Sequence, residues 1–191
     1  KAIAEKMVIE ANGFNGLATV CIRPHLIWGP GDPHLLPRIV ERAKNKKLIR
    51  VGEGNNLVDM IYIDNAVDAH IKAYEKLDLN SNVAGKCYFV SDDKPVFLWE
   101  WIDLLLIKLE LPSITKTITF KWAFFLGRTL EAFHKVFFIK KEPIMTRFLA
   151  TQLSKSHYFN ISQAKKDFGY KPLIKNEEGI KRLVSDYFSR Q

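Results

Sequence analysis

Leu17-Ala18-Thr19-Val20-Cys21-Ile22 runs directly into Arg23-Pro24-His25-Leu26-Ile27-Trp28-Gly29-Pro30-Gly31-Asp32. The first part is an apolar run of the kind that forms a buried strand. The second part breaks that pattern at once, with Pro or Gly at positions 24, 29, 30, 31 and 33. A strand that ends in a stiff, irregular loop is where parallel α/β proteins place their ligands. This stretch therefore sets the expected fold class, α/β with a parallel sheet, and makes the loop the first place to look for chemistry.

Outward from that point the pattern stays α/β. Residues 1–12 read as a helix, with Ile3, Met7, Val8 and Ala11 on one face and Gly13 at its end. Residues 34–44 read as a second helix, with Leu36, Ile39, Val40 and Ala43 inward, and residues 48–51 as a short strand. Residues 58–63 alternate like a strand, after which Asp64 or Asn65 is placed to cap a helix reaching about Leu77. Lys86–Val90 reads as a strand, and residues 97–109 as a helix that Pro112 stops. Near the end, residues 156–161 look strand-like. Ser162 caps a short helix ended by Gly169, and residues 177–188 form a last helix. Strands separated by helices favour a parallel sheet. Residues 1–94 are expected to form the sheet domain, and residues 95–191 a helix-rich lobe with a returning tail.

Residues 118–139 form an unusual amphipathic helix. Trp122, Leu126, Leu130, Phe133 and Phe137 make an aromatic-rich stripe, with Lys121, Arg128, Glu131 and Lys135 off that line. Three roles fit: packing on the domain, gating an apolar ligand, or lying on an anionic membrane surface. The gate is the favoured role, with weak peripheral membrane contact as an addition; the charges exclude spanning.

Composition excludes several classes. The 191 residues are 47% hydrophobic and 26% charged, with a net charge of +8. That balance is ordinary for a globular chain. The positive charge is spread over polar helix faces, and no aromatic-rich RNA-binding pattern or zinc-finger spacing accompanies it. Nucleic acid is therefore not an expected partner. The five histidines lack H-E-x-x-H or C-x-x-C companions, so no metal site is expected. No G-x-S-x-G elbow supports a hydrolase triad. Asp59 and Asp64 read as bracing or capping residues. Cys21 and Cys87 read as small buried residues, which fits a reducing cytoplasm, with membrane association left to the aromatic helix.

A dinucleotide fingerprint is missing. G-x-G-x-x-G needs a third glycine, but His34 follows Gly29 and Gly31 at that spacing, and Leu57 follows Gly52 and Gly54. Taken alone, the chain is expected not to hold a dinucleotide tightly.

The loop nevertheless resembles a known group, the extended short-chain dehydrogenases/reductases. Lys1-Ala2-Ile3-Ala4-Glu5 is similar to the group's helix that begins at the lysine of a Tyr-x-x-x-Lys pair. Leu36-Pro37, Gly52 and Gly54, Val58-Asp59, Tyr62-Ile63-Asp64-Asn65 and Ala69-His70 resemble later blocks. The tail resembles a shared ending in Phe168-Gly169-Tyr170-Lys171-Pro172. The chain resembles closely the 3β-hydroxysteroid dehydrogenase branch, including sterol-4-carboxylate 3-dehydrogenases and bacterial 2-alkyl-3-oxoalkanoate reductases. Only the C-terminal portion of such a protein is matched.

The resemblance implies NAD or NADP as cofactor, bound mainly by a half this chain lacks, and a small hydrophobic alcohol or ketone as substrate. A homo-oligomer is compatible with it. It implies that Lys1 lowers the pKa of an upstream tyrosine, whose free value is near 10. It also implies that Lys1, Pro24, His25, Leu26 and Ile27 face the nicotinamide, and that Pro33, His34, Leu36, Trp122 and Phe125 line the substrate. Nucleotide-sugar epimerases and dehydratases are the alternative enzymes. They usually carry an arginine where this chain has Val58, a position suited to a bidentate diphosphate contact. A cofactor-free binding module is the non-enzymatic alternative. By itself the chain is expected to be inactive.

Overall fold

Small residues at helical spacing decide which faces are buried. The computed structural model describes residues 1–141 and 143–190. The chain divides between two interleaved units. The first comprises Lys1–Asp32, Asp59–Pro95 and Phe159–Gln191; the second comprises Pro33–Val58 and Val96–Tyr158.

In the first unit, β1 (Val20–Pro24) pairs in parallel with β6 (Lys86–Val90), and β2 (Ile27–Trp28) in parallel with β5 (Ile61–Tyr62). Helix α3 (Ile63–Glu75) lays Ala66, Ala69 and Ala73 into a core with Ile61, Tyr88, Val90, Phe168 and Tyr170. The alanines let the helix lie close to the strands, and the aromatics fill the remaining volume. Helices α1 (Ala2–Glu10), α7 (Ser162–Phe168) and α8 (Asn176–Ser189) complete the unit. Gly179 in α8 touches the buried Trp28 and Tyr62; a Cβ there would stand 2.7 Å from Trp28 Cη2.

In the second unit, β3 (Ile49–Val51) pairs in parallel with β8 (Lys116–Ile118), and β4 (Leu57–Val58) pairs antiparallel with β7 (Val96–Phe97). Helix α4 (Leu98–Lys108) carries the core, burying Trp99, Trp101, Ile102, Leu105 and Leu106. The Trp99 indole N–H donates to Leu153 O at 2.9 Å. Helix α2 (Leu35–Lys44) buries Ile39 and Ala43.

Of the three roles read for the aromatic stripe, packing on the domain does not hold for helix α5 (Phe120–Val136). Its buried residues are Ala123 and Gly127, whereas Trp122, Leu126 and Phe133 of the sequence stripe are exposed. The cause is its partner, α6 (Arg147–Ser154). A Cβ on Gly127 would lie 2.6 Å from Arg147 N and Thr146 C, so only glycine admits the start of α6. Glu131 fixes the pair by accepting from the Arg147 backbone N–H at 2.7 Å and from its guanidinium at 2.6 Å. Gly127→Ala should therefore lower stability by about 1–3 kcal/mol, the usual range for overpacking. A thermal melt unchanged from wild type would show that α6 yields.

Three further expectations change. Residues 58–63 are not one strand: β4 ends at Val58, β5 begins at Ile61, and the chain crosses from one unit to the other between Val58 and Asp59. Neither Asp64 nor Asn65 caps α3; Tyr62 holds the N-cap position, and α3 has no side-chain cap. Residues 156–161 form no strand, only one bridge between His157 and Val58. In each case the local pattern lost to a tertiary partner.

Candidate active site at the carboxyl end of β1

β1 ends with Pro24 opposite Val90, and the His25 N–H donates to Val90 O at 3.3 Å. Leu26 then takes φ +47°, a left-handed conformation that leucine rarely adopts. That turn aims the chain into β2, where Ile61 N–H donates to Leu26 O at 3.3 Å. Gly29 follows at φ +143°, and a Cβ there would meet Ile63 Cγ2 at 2.7 Å. The Asp32 N–H donates to Gly29 O and closes the loop. Backbone pairing on both sides thus holds Pro24, His25, Leu26 and Ile27 in one shape. Ile27 remains 43% exposed, while Trp28 beside it is buried. The His25 ring sits edge-on to Phe159 at 4.8 Å, and Phe159 stacks on Phe89 at 4.1 Å.

Helix α1 is anchored to the same strand end. The Arg23 guanidinium donates to both Glu5 oxygens and lies over the Phe89 ring, 5.0 Å from its centroid. Arg23 holds the Glu5 carboxyl below the usual carboxylate range. At the other end of the helix, Thr19 Oγ1 donates to Val8 O and Thr19 N–H to Asn12 Oδ1, both at 2.9 Å. These contacts run α1 antiparallel to β1. Lys1, one helical turn or about 6 Å before Glu5, therefore falls at the level of the residues that follow Arg23. Lys1 is exposed and occupies the N-cap position.

Behind the loop lies a buried polar cluster that no sequence spacing announced. Asn65 is fully buried. Its amide donates to Asp92 Oδ1 at 2.7 Å and to Ile174 O at 2.8 Å, and its oxygen accepts from Leu173 N and Ile174 N, both at 2.9 Å. Every hydrogen-bonding position of the amide is used. Asp92 also accepts from the Tyr62 N–H. Burial pushes the Asp92 carboxyl up to about 6, against the pull of these hydrogen bonds. Asp59, buried as well, accepts from the Phe159 N–H at 2.7 Å and braces the segment that carries that ring. Asp64 is on the surface, paired with Arg182.

The remaining candidates belong to the second unit. Pro33 and His34 are exposed just before α2, with His34 at its N-cap position, and Leu36 is half-buried in its first turn. Trp122 and Phe125 are exposed on α5, with their rings 6.1 Å apart. Cys21 and Cys87, expected to be small buried residues, face each other across the β1–β6 pair and are only half-buried. Their sulfurs and a Glu5 oxygen lie within 4.8 Å of one another. Arg23 engages that carboxylate, and burial, with Cys21 adding to it, pushes the Cys87 thiol up to about 11, so it stays protonated. The Glu5–Arg23 clamp joins residues 18 positions apart and left no periodic trace.

Parallel strand pairs, covering helices and a rigid loop at the carboxyl end of β1 define a Rossmann-like α/β protein. Residues 1–121 match the 3-beta hydroxysteroid dehydrogenase/isomerase family, and the chain belongs to it. It is 47% identical over 190 residues to a 2-alkyl-3-oxoalkanoate reductase of Shewanella oneidensis, covering 96% of this chain and 49% of that protein. It is 31% identical to the sterol-4-alpha-carboxylate 3-dehydrogenase, decarboxylating, of Mus musculus, covering 98% of this chain and 53% of that protein. Among solved structures, dTDP-glucose 4,6-dehydratase from Streptomyces venezuelae with NAD bound superposes with a TM-score of 0.68 at 16% identity, covering 99% of this chain and 49% of that one. At such identity the likeness shows the fold alone. The chain spans about half the length of the curated relatives it matches.

Proposed function

We propose that this chain is the C-terminal half of an NAD(P)-dependent oxidoreductase that interconverts a secondary alcohol and a ketone on a hydrophobic substrate of the 3-oxo acid or sterol type. One observation supports the reading: the Glu5–Arg23 clamp brings the first turn of α1 to the carboxyl end of β1, so that Lys1, one turn before Glu5, would stand near Pro24, His25, Leu26 and Ile27. The loop's geometry, rigid and at the end of a parallel strand, suits the nicotinamide end of a dinucleotide. The chain has no glycine fingerprint for the phosphates, so the other half would bind them. The bound cofactor would supply hydride transfer at its nicotinamide ring.

The chain's own residues then have distinct tasks. Lys1 would place an ammonium beside a tyrosine supplied by the other half, stabilising the phenolate and bringing its proton transfer into the neutral range. Backbone groups of the loop would orient the nicotinamide. Pro33, His34 and Leu36 would contact substrate. Val58 supports the apolar substrate class over a nucleotide sugar, since it offers no bidentate cation for a diphosphate. The 2-alkyl-3-oxoalkanoate reductases at 47% and 45% identity support the 3-oxo acid side of that class.

A substrate panel tests the reading. The full-length protein, given NADH or NADPH, should reduce 2-alkyl-3-oxo acids or 3-oxosterols and leave UDP- and dTDP-sugars untouched. Turnover of the sugars with none of the apolar ketones would overturn it.

A further inference from the structure

The side of β1 and β6 that lies under α1 carries two thiols that neither the core nor the proposed reaction uses. Alternation along a strand puts Cys21 with Arg23 on one side of β1, and Cys87 with Phe89 on one side of β6. Arg23 grips Glu5 of α1 and lies over Phe89, so this is the side that faces α1. The opposite side supplies the core, where Val20, Ile22, Tyr88 and Val90 pack with the alanines of α3. Cys21 and Cys87 stand outside that core, half-buried and unbridged.

Their register brings the two sulfurs together. Cys21 pairs directly with Cys87 in the parallel ladder. Neighbouring strands run about 4.8 Å apart, inside the roughly 4.4–6.8 Å between Cα atoms that a disulfide spans. The two sulfurs and a Glu5 oxygen all lie within 4.8 Å of one another. The Cys87 thiol is in hydrogen-bond reach of the Cys21 sulfur and of the Glu5 carboxylate. The strands already stand at the right spacing, so rotation about the two Cα–Cβ bonds is the motion that remains. The same three groups make a poor cation site, because Arg23 donates to both Glu5 oxygens. Burial pushes the Cys87 thiol up to about 11, so at neutral pH it rests as a thiol.

We infer that Cys21 and Cys87 form a redox modification site, closed to a disulfide by a small hydroperoxide and reopened by a dithiol. With hydrogen peroxide the step balances as follows. The O–O bond breaks, one thiol sulfur takes a hydroxyl to become a sulfenic acid, and its proton leaves with the other oxygen as water. The second thiol attacks that sulfur. The S–S bond forms, the S–O bond breaks, and the hydroxyl leaves as water with the second thiol's proton. The two thiols lose two electrons and the peroxide takes them. A dithiol reverses the change through a mixed disulfide and is itself oxidised to a disulfide. The bond ties β1 to β6 and takes from Glu5 the thiol donor beside Arg23. The inference does not rest on the reaction proposed above.

Hydrogen peroxide added to the full-length protein tests it. Non-reducing peptide mapping should then show the Cys21 and Cys87 peptides joined, lighter by two hydrogens than the separate pair. Dithiothreitol should restore both thiols. The oxidised protein should melt roughly 5 °C above the reduced one, on the scale of a disulfide that closes a long loop. Cys21→Ser and Cys87→Ser should each abolish the joined peptides and the shift in melting. The map of the wild-type protein decides the question even if either variant folds poorly.

Thiols that survive peroxide would overturn the inference, as would oxidation that stops at separate sulfinic acids. A bridge from either cysteine to one elsewhere in the full-length protein would overturn it too. A joined pair that lowers the melting temperature would mean that the bridge forms only by distorting the strands, and would strike it as a native site. Zinc ion that blocks both thiols, with no bridge under peroxide, would assign the cluster to a metal instead. Because the bridge is read by mass, failure of the ketone panel leaves this outcome untouched.

Discussion

Lys1→Met in the full-length protein should lower turnover by roughly 10²-fold or more, the scale of a positioned acid–base group. The pH optimum should move upward as well. An ammonium beside a phenol favours the phenolate, so its removal lets the phenol pKa rise back toward about 10 and demands a higher pH for the same ionised fraction. Folding should be untouched, because Lys1 is exposed and its side chain caps no backbone group of α1. Circular dichroism and a thermal melt check that point. The pH–rate profile separates the chemical role from a merely positional one. A variant with wild-type rate and wild-type pH profile would make Lys1 a bystander, and the reading of the strand end would lose its central residue.

The second large effect concerns stability. Asn65→Ala removes a fully buried amide and strands Leu173 N, Ile174 N and Ile174 O, besides taking one donor from Asp92. At about 1–3 kcal/mol for each buried group left unsatisfied, the expected loss is about 3–5 kcal/mol. The loss should depend on pH. The Asp92 carboxyl is raised by burial to about 6, so the stability its protonation contributes is present below the unfolded value and lost as pH rises through about 6. Asn65 is one of the groups holding that carboxyl down. Without it Asp92 rises further, and the ionised form becomes costlier in the folded state. Urea melts should therefore show a larger gap between wild type and variant near pH 8 than near pH 5. Equal gaps at both would mean that Asp92 is indifferent to its neighbour, and a loss below about 1 kcal/mol would mean that water replaces the amide.

Sequence alone determined those parts of this protein that depend on neighbours in the chain. The α/β class followed from apolar runs broken by Pro and Gly, and Lys86–Val90 was readable because the consecutive Cys87, Tyr88, Phe89 and Val90 need no distant partner to be recognised. The end of α7 at Gly169 was readable too, since its left-handed φ of +67° is what a helix stop of this kind uses. The break after β1 was legible from its Pro and Gly content, and the family in its motifs.

Tertiary structure decided what depends on residues far apart in the chain. It broke residues 58–63 in two, because Val58 pairs with Val96 while Ile61 pairs with Ile27. It took Asn65 from an expected cap to a hub for residues more than 100 positions away, whose backbone groups it satisfies. It paired Cys21 with Cys87, a register that a parallel pair fixes and that spacing cannot reveal. In α5 the sequence showed a helix with an aromatic stripe but not its orientation. Periodicity identifies which residues share a face. Which face is buried depends on what approaches, and here the backbone at the start of α6 comes so close to Gly127 that only small residues fit between the two helices.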